Sequence, residues 1–434
     1  MAGIFGIVSE EDCIRDVLSG TFYLQNRAEE YCGIAWKNGD DKLRNSTHRG
    51  LVKNNYTQEK LSFMKGNFAI GTVSGSREPV SELSNKGGMS LCYDGNIANY
   101  EELKNSLLKN GASFSGYHTL EEIYDSILIS KIISKAPNFG KGIESLVEQM
   151  RGDFALVALT PEGIYASRGW GRKPLILGKR DGSYAVSSES VSFINPGFEI
   201  VRDVNPGETV FIDNSGIHHV QQLDLSPIKL GTFEWVYTAH PASVVDGQSV
   251  ELARNAIGSA LARRYPVDAD IVSPVPNSGR CHADGYASES GIMHREVFKK
   301  FDYCGRSFTP NTLEDQQAVA DEKLIPVREL IEGKRIIFVD DSIVKGNQTR
   351  KQSQRLRELG AKEVHARIAC PPLMSACIYG KSIKNDEDCI AKRMSLEEIR
   401  ITRRLDSLEY ATIEDLEGAI GKSRDMLCVD CWGL

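Results

Sequence analysis

The sequence predicts two halves of different class: an α+β layered half, then an α/β half built on a mostly parallel sheet. Three observations lead there. Residues 1 to about 225 carry many short apolar or alternating runs, among them GIFGIV, NFAIGTV, MSLCYDGN, DFALVAL, GIYAS, YAVSSES and ETVFID. Gly, Asn, Asp and Ser punctuate them, the pattern of hairpins and antiparallel sheet. From about 230 the rhythm changes to strands alternating with helices, which calls for crossovers and a parallel sheet. The chain also has 434 residues, more than one ordinary core accommodates, so two domains are expected.

The elements follow in order. In the first half, SGTFYLQNRA reads as a helix, and so does TLEEIYDSILISKII, with apolar residues three and four apart. In the second half, SVELARNAIGSALARRY is a helix, DADIVSPVP a strand and GRCHADGYASESG a helix. KRIIFVDDS is a strand, NQTRKQSQRLRELG a helix and EVHARIACPP a strand. The boundary is placed near LSPIKLGTFEW, which gives domains 1–229 and 230–434. There is no internal repeat and no low-complexity tract.

Composition narrows the function classes. The chain is 41% hydrophobic and 26% charged, with a formal net charge of -7. A mild acidic excess gives no general attraction to nucleic acid or to an anionic membrane. No segment approaches the roughly 18 consecutive apolar residues of a membrane helix. The N-terminus lacks a basic segment followed by a long apolar run, so a cytoplasmic protein is expected. The ten cysteines are then free thiols by default, with a metal or cluster site as the alternative.

The segment KRIIFVDDSIVKGNQTRKQ carries the strongest chemical signal. Ile336 to Val339 make a buried strand, and Asp340 and Asp341 fall at its carboxyl end, where open α/β sheets bind ligands. Gly346 lies in the following loop, with Lys345, Asn347, Gln348 and Thr349 around it, and a helix begins there. A loop entering a helix presents backbone N–H groups and the positive end of the dipole, which suits a phosphate. Two adjacent carboxylates suit a ribose diol, or Mg²⁺ through oxygen ligands and water. Two acids after an apolar strand are common; the full ten-residue pattern is specific. It matches the phosphoribosyl pyrophosphate (PRPP) loop of type I phosphoribosyltransferases. In SPVPNSGR, Ser278 sits at a second turn where its hydroxyl could serve a metal or pyrophosphate; by itself this is a common Pro-Asn-Ser turn.

Together these residues resemble the glutamine PRPP amidotransferase (amidophosphoribosyltransferase) family over almost the whole chain. MAGIFGIV, LQNRAEE, DGNIANYEEL, MRGDFALVAL, GRKPLILGK and DVNPGETVFID are similar to its glutaminase half. FEWVYTAHPASVVDGQSVELAR, DYCGRSF, RIACPPLMSACIYG and CVDCWGL are similar to its second half. The resemblance implies an α+β N-terminal nucleophile-type sandwich followed by an α/β type I phosphoribosyltransferase domain. In the family, an N-terminal cysteine releases ammonia from glutamine. The ammonia then displaces pyrophosphate from C1 of PRPP, in purine synthesis.

Position by position, the resemblance implies a degenerate glutaminase. The nucleophile position is Ala2, which has no nucleophilic atom. Thr72, Ser74 and Gly75 stand where the family has the His, Arg and Tyr of its carboxylate-binding segment. The oxyanion Asn-Gly pair reads Asp94-Gly95, and a carboxylate there would repel an oxyanion unless protonated. Leu120 replaces the Asp that binds the substrate amine. Attack, oxyanion stabilisation, carboxylate binding and amine binding are lost together, so an inactive scaffold is expected, with a repurposed pocket as the rival. Cys32 and Cys92 are read as buried cysteines rather than substitute nucleophiles.

The transferase half is better kept. Asp340, Asp341, Ser342, Ile343, Val344 and Gly346 match the family, with the paired Asp residues and Lys323 of the mobile loop as catalytic groups. Lys345 stands where Arg is usual, and Asn347, Gln348 and Thr349 replace a small hydroxyl run. Arg306, in DYCGRSF, is a further expected PRPP contact. Ser278, Asp340 and Asp341 are the expected Mg²⁺ set. The mobile loop, QQAVADEKLIP, gains Asp321 and Glu322, which hints at an acceptor other than glutamine-derived ammonia. Cys377, Cys428 and Cys431 are similar to three of four [4Fe–4S] cluster ligands, and the fourth position is Gly231. A cluster with another ligand, a Zn²⁺ site and a leftover thiol pair all stay open.

The expectation is therefore a Mg²⁺- and PRPP-dependent phosphoribosyltransferase without glutaminase activity. Its nitrogen would come from ammonia, another amine or an ammonia-supplying partner protein. It is expected to be a homo-oligomer that binds neither nucleic acid nor membrane. The alternative is a non-catalytic paralogue that binds PRPP or nucleotide and regulates a partner amidotransferase.

Overall fold

The structure is a computed structural model that describes residues 1–39, 42–84, 87–114, 124–301, 324–380, 383 and 385–433. It contains two compact units. The first comprises Met1–Gly231, Ala242–Gly247 and Ile378–Ser382; the second holds Thr232–Pro241, Gln248–Cys377 and Ile383–Leu434. The first unit thus takes two short segments from beyond position 230.

In the first unit, seven antiparallel strands run in the order Glu199–Asp203, Ile176–Arg180, Ser183–Ser187, Gly3–Ser9, Phe68–Ser74, Tyr31–Lys37, Leu43–Arg49. A second sheet has six, in the order Gly216–Gln222, Glu208–Asp213, Ile164–Arg168, Gly152–Leu159, Gly87–Ile97, Val80–Ser84. Side chains alternate between the two faces of a strand. Accordingly, Ile4 and Val8 share one apolar cluster with Val157 and Ile212 from the six-stranded sheet. Phe5 and Ile7 point the other way and pack with Val17 and Leu18 of the helix Ile14–Phe22. Leu156 and Ala158 pack with Leu128, Ile132 and Leu146 of the helices Asp125–Lys135 and Phe139–Gln149. Helix, sheet, sheet and helix form four layers.

Two helix boundaries differ from the sequence reading. The first helix spans Ile14–Phe22, not SGTFYLQNRA. Ile14, Val17, Leu18 and Thr21 form its buried face, and tight turns follow through the bonds Leu24 N to Thr21 O and Arg27 N to Leu24 O. Those turns bring Arg27 into the interior, where it is buried. The second helix begins at Asp125, and residues 115–123, including Leu120, lie outside the described residues.

In the second unit, four parallel strands run in the order Ile271–Pro274, Arg335–Asp340, Glu363–Ile368, Ser407–Tyr410. Ile336, Ile337, Phe338 and Val339 are fully buried, as a strand covered on both faces requires. The helix Asn347–Glu358 follows directly and packs on Glu363–Ile368. Among the described residues no helix is long and apolar enough to cross a membrane.

Candidate functional sites

The strand Arg335–Asp340 delivers its last residue to the carboxyl edge of the parallel sheet, flanked by Ile271–Pro274 and Glu363–Ile368. Asp340 and Asp341 are both buried there. The backbone N–H of Asp341 donates to Asp340 Oδ1 at 3.0 Å, and Ser278 Oγ approaches the same oxygen at 3.3 Å. Ser342 Oγ donates to Asp341 Oδ2 at 2.6 Å. Burial and the neighbouring Asp341 push the Asp340 carboxyl well above its ordinary range. The structure therefore brings Ser278, Asp340, Asp341 and Ser342 together.

Ile343 is buried and anchors the loop, and the Val344 carbonyl accepts the N–H of Ile390 at 2.8 Å. Gly346 takes φ +70°, a left-handed conformation that glycine adopts without penalty, and opens the helix Asn347–Glu358. Asn347 and Gln348 are exposed in the first turn, while Thr349 is buried. The first backbone N–H groups of a helix have no intrahelical acceptor, so this end offers donors to an anion. Lys345 has a partner that the sequence reading did not expect: its Nζ lies 2.9 Å from Asp388 Oδ1. Asp388 escaped the sequence reading because 43 residues separate it from Lys345 and no motif marks it. Arg306 and Lys323 fall outside the described residues.

The donor set fits Mg²⁺ in one respect. Two buried carboxylates and a hydroxyl converge with no cation paired to them among the described residues, and a hard divalent ion bound largely through substrate oxygens and water needs no more from a protein. The thiols do not fit a metal or cluster in the same way. Among the described residues no three His, Cys, Asp or Glu side chains are disposed to hold a metal. Burial, then Cys377 and Cys428 nearby, push the Cys431 thiol up.

In the first unit, Ala2 is buried at the start of the strand Gly3–Ser9. Its N–H donates to Asp94 Oδ1 at 2.8 Å, and its carbonyl accepts from Arg27 Nε at 2.8 Å. Arg27 bridges two carboxylates, reaching Asp94 Oδ2 at 3.1 Å and Glu189 Oε1 at 2.8 Å. Lys173 Nζ stands 3.6 Å from Asp94 Oδ1. Asn26 and Ser243 also donate to Glu189. Two cations thus face two anions in a closed interior, as buried charge requires.

This corrects the condition placed on Asp94. Burial opposes its charge, yet Lys173, Arg27, the chain N-terminus and the Ala2 N–H together hold its carboxyl well below the usual range. It is an ionised carboxylate, not a protonated one. Gly95 lies in the strand Gly87–Ile97, paired with Phe154, and a side chain there would strike the Asp153 carbonyl. Thr72 is fully buried opposite Ile4, and Ser74 Oγ donates to the Ser76 carbonyl. Gly75 has open space around it. Burial pushes the Cys32 thiol up to about 11 and the Cys92 thiol well above its ordinary value, so neither is poised as a nucleophile. The sequence reading missed Arg27, Lys173 and Glu189 as site residues, although the first two lie within LQNRAEE and GRKPLILGK.

The family described as a glutamine amidotransferase domain matches residues 65–195. An amidophosphoribosyltransferase of Methanothermobacter thermautotrophicus is 37% identical over 99% of this chain and 93% of its own length. One from Methanocaldococcus jannaschii is 33% identical over 99% of this chain and 96% of its own. Among solved structures, a glutamine PRPP amidotransferase from B. subtilis, complexed with ADP and GMP, superposes with a TM-score of 0.90. It is 31% identical and covers 99% of this chain and 96% of that one.

Proposed function

This chain belongs to the amidophosphoribosyltransferase family, and on that premise we propose that it is a PRPP-dependent phosphoribosyltransferase that no longer hydrolyses glutamine. The transfer rests on the Asp340–Asp341 pair, with Ser278 beside it and the glycine-led helix start after it. An amine nitrogen attacks C1 of PRPP, the C1–O bond to pyrophosphate breaks, and the new C–N bond forms. Pyrophosphate leaves with the bonding pair, and the nitrogen gives up a proton. Asp340 and Asp341 would orient the ribose hydroxyls and stabilise the positive charge that develops at C1. When bound through Asp340, Asp341 and Ser278, Mg²⁺ would neutralise the departing pyrophosphate. The loop from Ser342 to Thr349 would hold the 5′-phosphate. A free amine attacks without a strong general base.

The loss of glutaminase rests on one relationship: the residue at the nucleophile position is bonded into a buried carboxylate. Ala2 offers no attacking atom. Asp94, held ionised, is an acceptor where a donor to an oxyanion is needed. The nitrogen then comes from ammonia, another amine or a partner protein.

The test is pyrophosphate release from PRPP and Mg²⁺ with glutamine, ammonium or a panel of amines. Release with ammonium or an amine but not glutamine is expected. Glutamate formation from glutamine by the pure chain contradicts the glutaminase part. PRPP binding without release in any arm replaces the transferase by a PRPP-binding regulator.

A further inference from the structure

The helix Leu396–Thr402 ends beside the phosphate-type loop and brings Arg403 against it. A side-chain carbon on Gly346 would sit 2.9 Å from Arg403 Nε and 3.2 Å from Nη2, so the guanidinium lies directly on the glycine. Nη2 donates to the Lys345 carbonyl at 3.4 Å, and Nη1 to Thr402 Oγ1 at 3.2 Å. The Arg403 backbone is tied to the loop's own helix, because Ser353 Oγ donates to the Arg403 carbonyl.

A trans peptide is planar, with its carbonyl and the next N–H pointing in opposite directions. A Lys345 carbonyl turned toward Arg403 therefore turns the Gly346 N–H away from it. The succeeding N–H groups of the helix start are free of intrahelical partners. Among the described residues, Arg403 Nε is buried and has no hydrogen-bond partner. Burial first, then the charges of Arg350 and Arg393, push Arg403 below its ordinary value. Arg350 lies in the first turn of Asn347–Glu358 and Arg393 ends the helix Ile390–Arg393. Among the described residues no carboxylate is paired with any of these three side chains.

We propose that Arg403 is a positioning residue for the phosphate end of the sugar substrate, bracing the Lys345–Gly346 peptide from behind and adding a cation to the loop. The proposal rests on the phosphoribosyltransferase reading. It accounts for a loop that carries Asn347 and Gln348 while its own Lys345 is paired with Asp388. The added positive charge comes from the end of a helix more than 50 residues downstream rather than from the loop itself.

The test uses the full chain with Mg²⁺ and two fragments of the substrate. Ribose 5-phosphate reports the phosphate end, and pyrophosphate reports the leaving-group end. In Arg403→Met, ribose 5-phosphate binding should weaken at least about tenfold while pyrophosphate binding stays within about twofold. The KM for PRPP should rise with kcat little changed, and Arg403→Lys should recover part of the loss. Unchanged ribose 5-phosphate binding in Arg403→Met overturns the proposal. Equal weakening of both fragments, with no recovery by lysine, reduces Arg403 to a scaffold role and also overturns it. A wild-type chain that binds neither fragment nor PRPP removes the transferase reading itself, a failure separate from either variant outcome.

Discussion

The N–H of Ala2 donates to Asp94 Oδ1 at 2.8 Å, joining the first strand to a carboxylate 92 residues away. The same carboxylate meets Arg27 and Lys173, and the far side of Arg27 meets Glu189. This interior is filled by its own charges.

Asp94→Asn should therefore destabilise the chain. It leaves Lys173 without its carboxylate and Arg27 with only Glu189, and removing one partner of a buried pair costs about 3–5 kcal/mol. The pH dependence has a definite sign. Asp94 is depressed in the folded state, so its contribution is fully present above the ordinary carboxylate range and is lost as pH falls below it. The stability gap between wild type and Asp94→Asn should be widest near neutrality and shrink below about pH 4. Denaturant unfolding at pH 7 and at pH 3 measures it, and a gap that grows on acidification contradicts the assignment.

Asp340→Asn addresses the other unit. The pair loses the charge that balances the developing cation at C1, and pyrophosphate release should fall roughly 10²–10³-fold. The folded structure should survive, because burial beside Asp341 already disfavours the Asp340 charge and among the described residues no cation is paired with either carboxylate. Circular dichroism and a rate assay with ammonium or the active amine separate the two effects. Full activity in this variant removes the pair from the mechanism.

The two sites were not equally legible in the sequence. The transferase edge was, because its parts are contiguous: Ile336 to Val339 set a strand, Asp340 and Asp341 mark its end, and Gly346 marks the turn. Local chemistry within eleven residues carries that information. The closed interior of the first unit was only half legible. The replacements at Ala2, Thr72 and Asp94 were visible, but the pairing of Asp94 with Lys173 spans 79 residues and that of Arg27 with Glu189 spans 162. Without those cations, a carboxylate at position 94 reads as an unresolved charge rather than a bonded one. The first helix was misplaced at both ends: it begins at Ile14, and after Phe22 the chain leaves it through the turns that carry Arg27 inward. Arg403 was invisible for a different reason: it follows an ordinary capped helix, and only the fold lays it on Gly346.

Asp388→Asn should improve the loop. Its partner Lys345 is more than half exposed, so the pair contributes little to stability, on the order of 1 kcal/mol or less. Freed from Asp388, the ammonium is available to substrate phosphate. The KM for PRPP should fall about two- to fivefold, and adding Lys345→Met should cancel that gain. Steady-state kinetics at low ionic strength reads both, and a rise in KM for Asp388→Asn would show that the pair holds the loop in its working shape.

Restoring a thiol at position 2 is the sharpest probe of the first unit. Ala2→Cys supplies the missing atom, and in a site that had lost only its nucleophile some glutamine hydrolysis would return. Here the surroundings argue otherwise. The position's N–H is engaged by Asp94, an ionised acceptor that would face the oxyanion of a tetrahedral intermediate and oppose its charge. Thr72 and Ser74, one fully buried and the other bonded to Ser76, offer no cation for a substrate carboxylate. Arg27 and Lys173 are both committed to Asp94, Arg27 to Glu189 as well. Ala2→Cys should therefore release no glutamate above the wild-type background, and Ala2→Cys with Asp94→Asn should gain no more, because the second change leaves two buried cations short of a partner. Glutamate release by the single variant at a rate distinguishable from wild type means that the pocket still accepts glutamine and that only its nucleophile is gone.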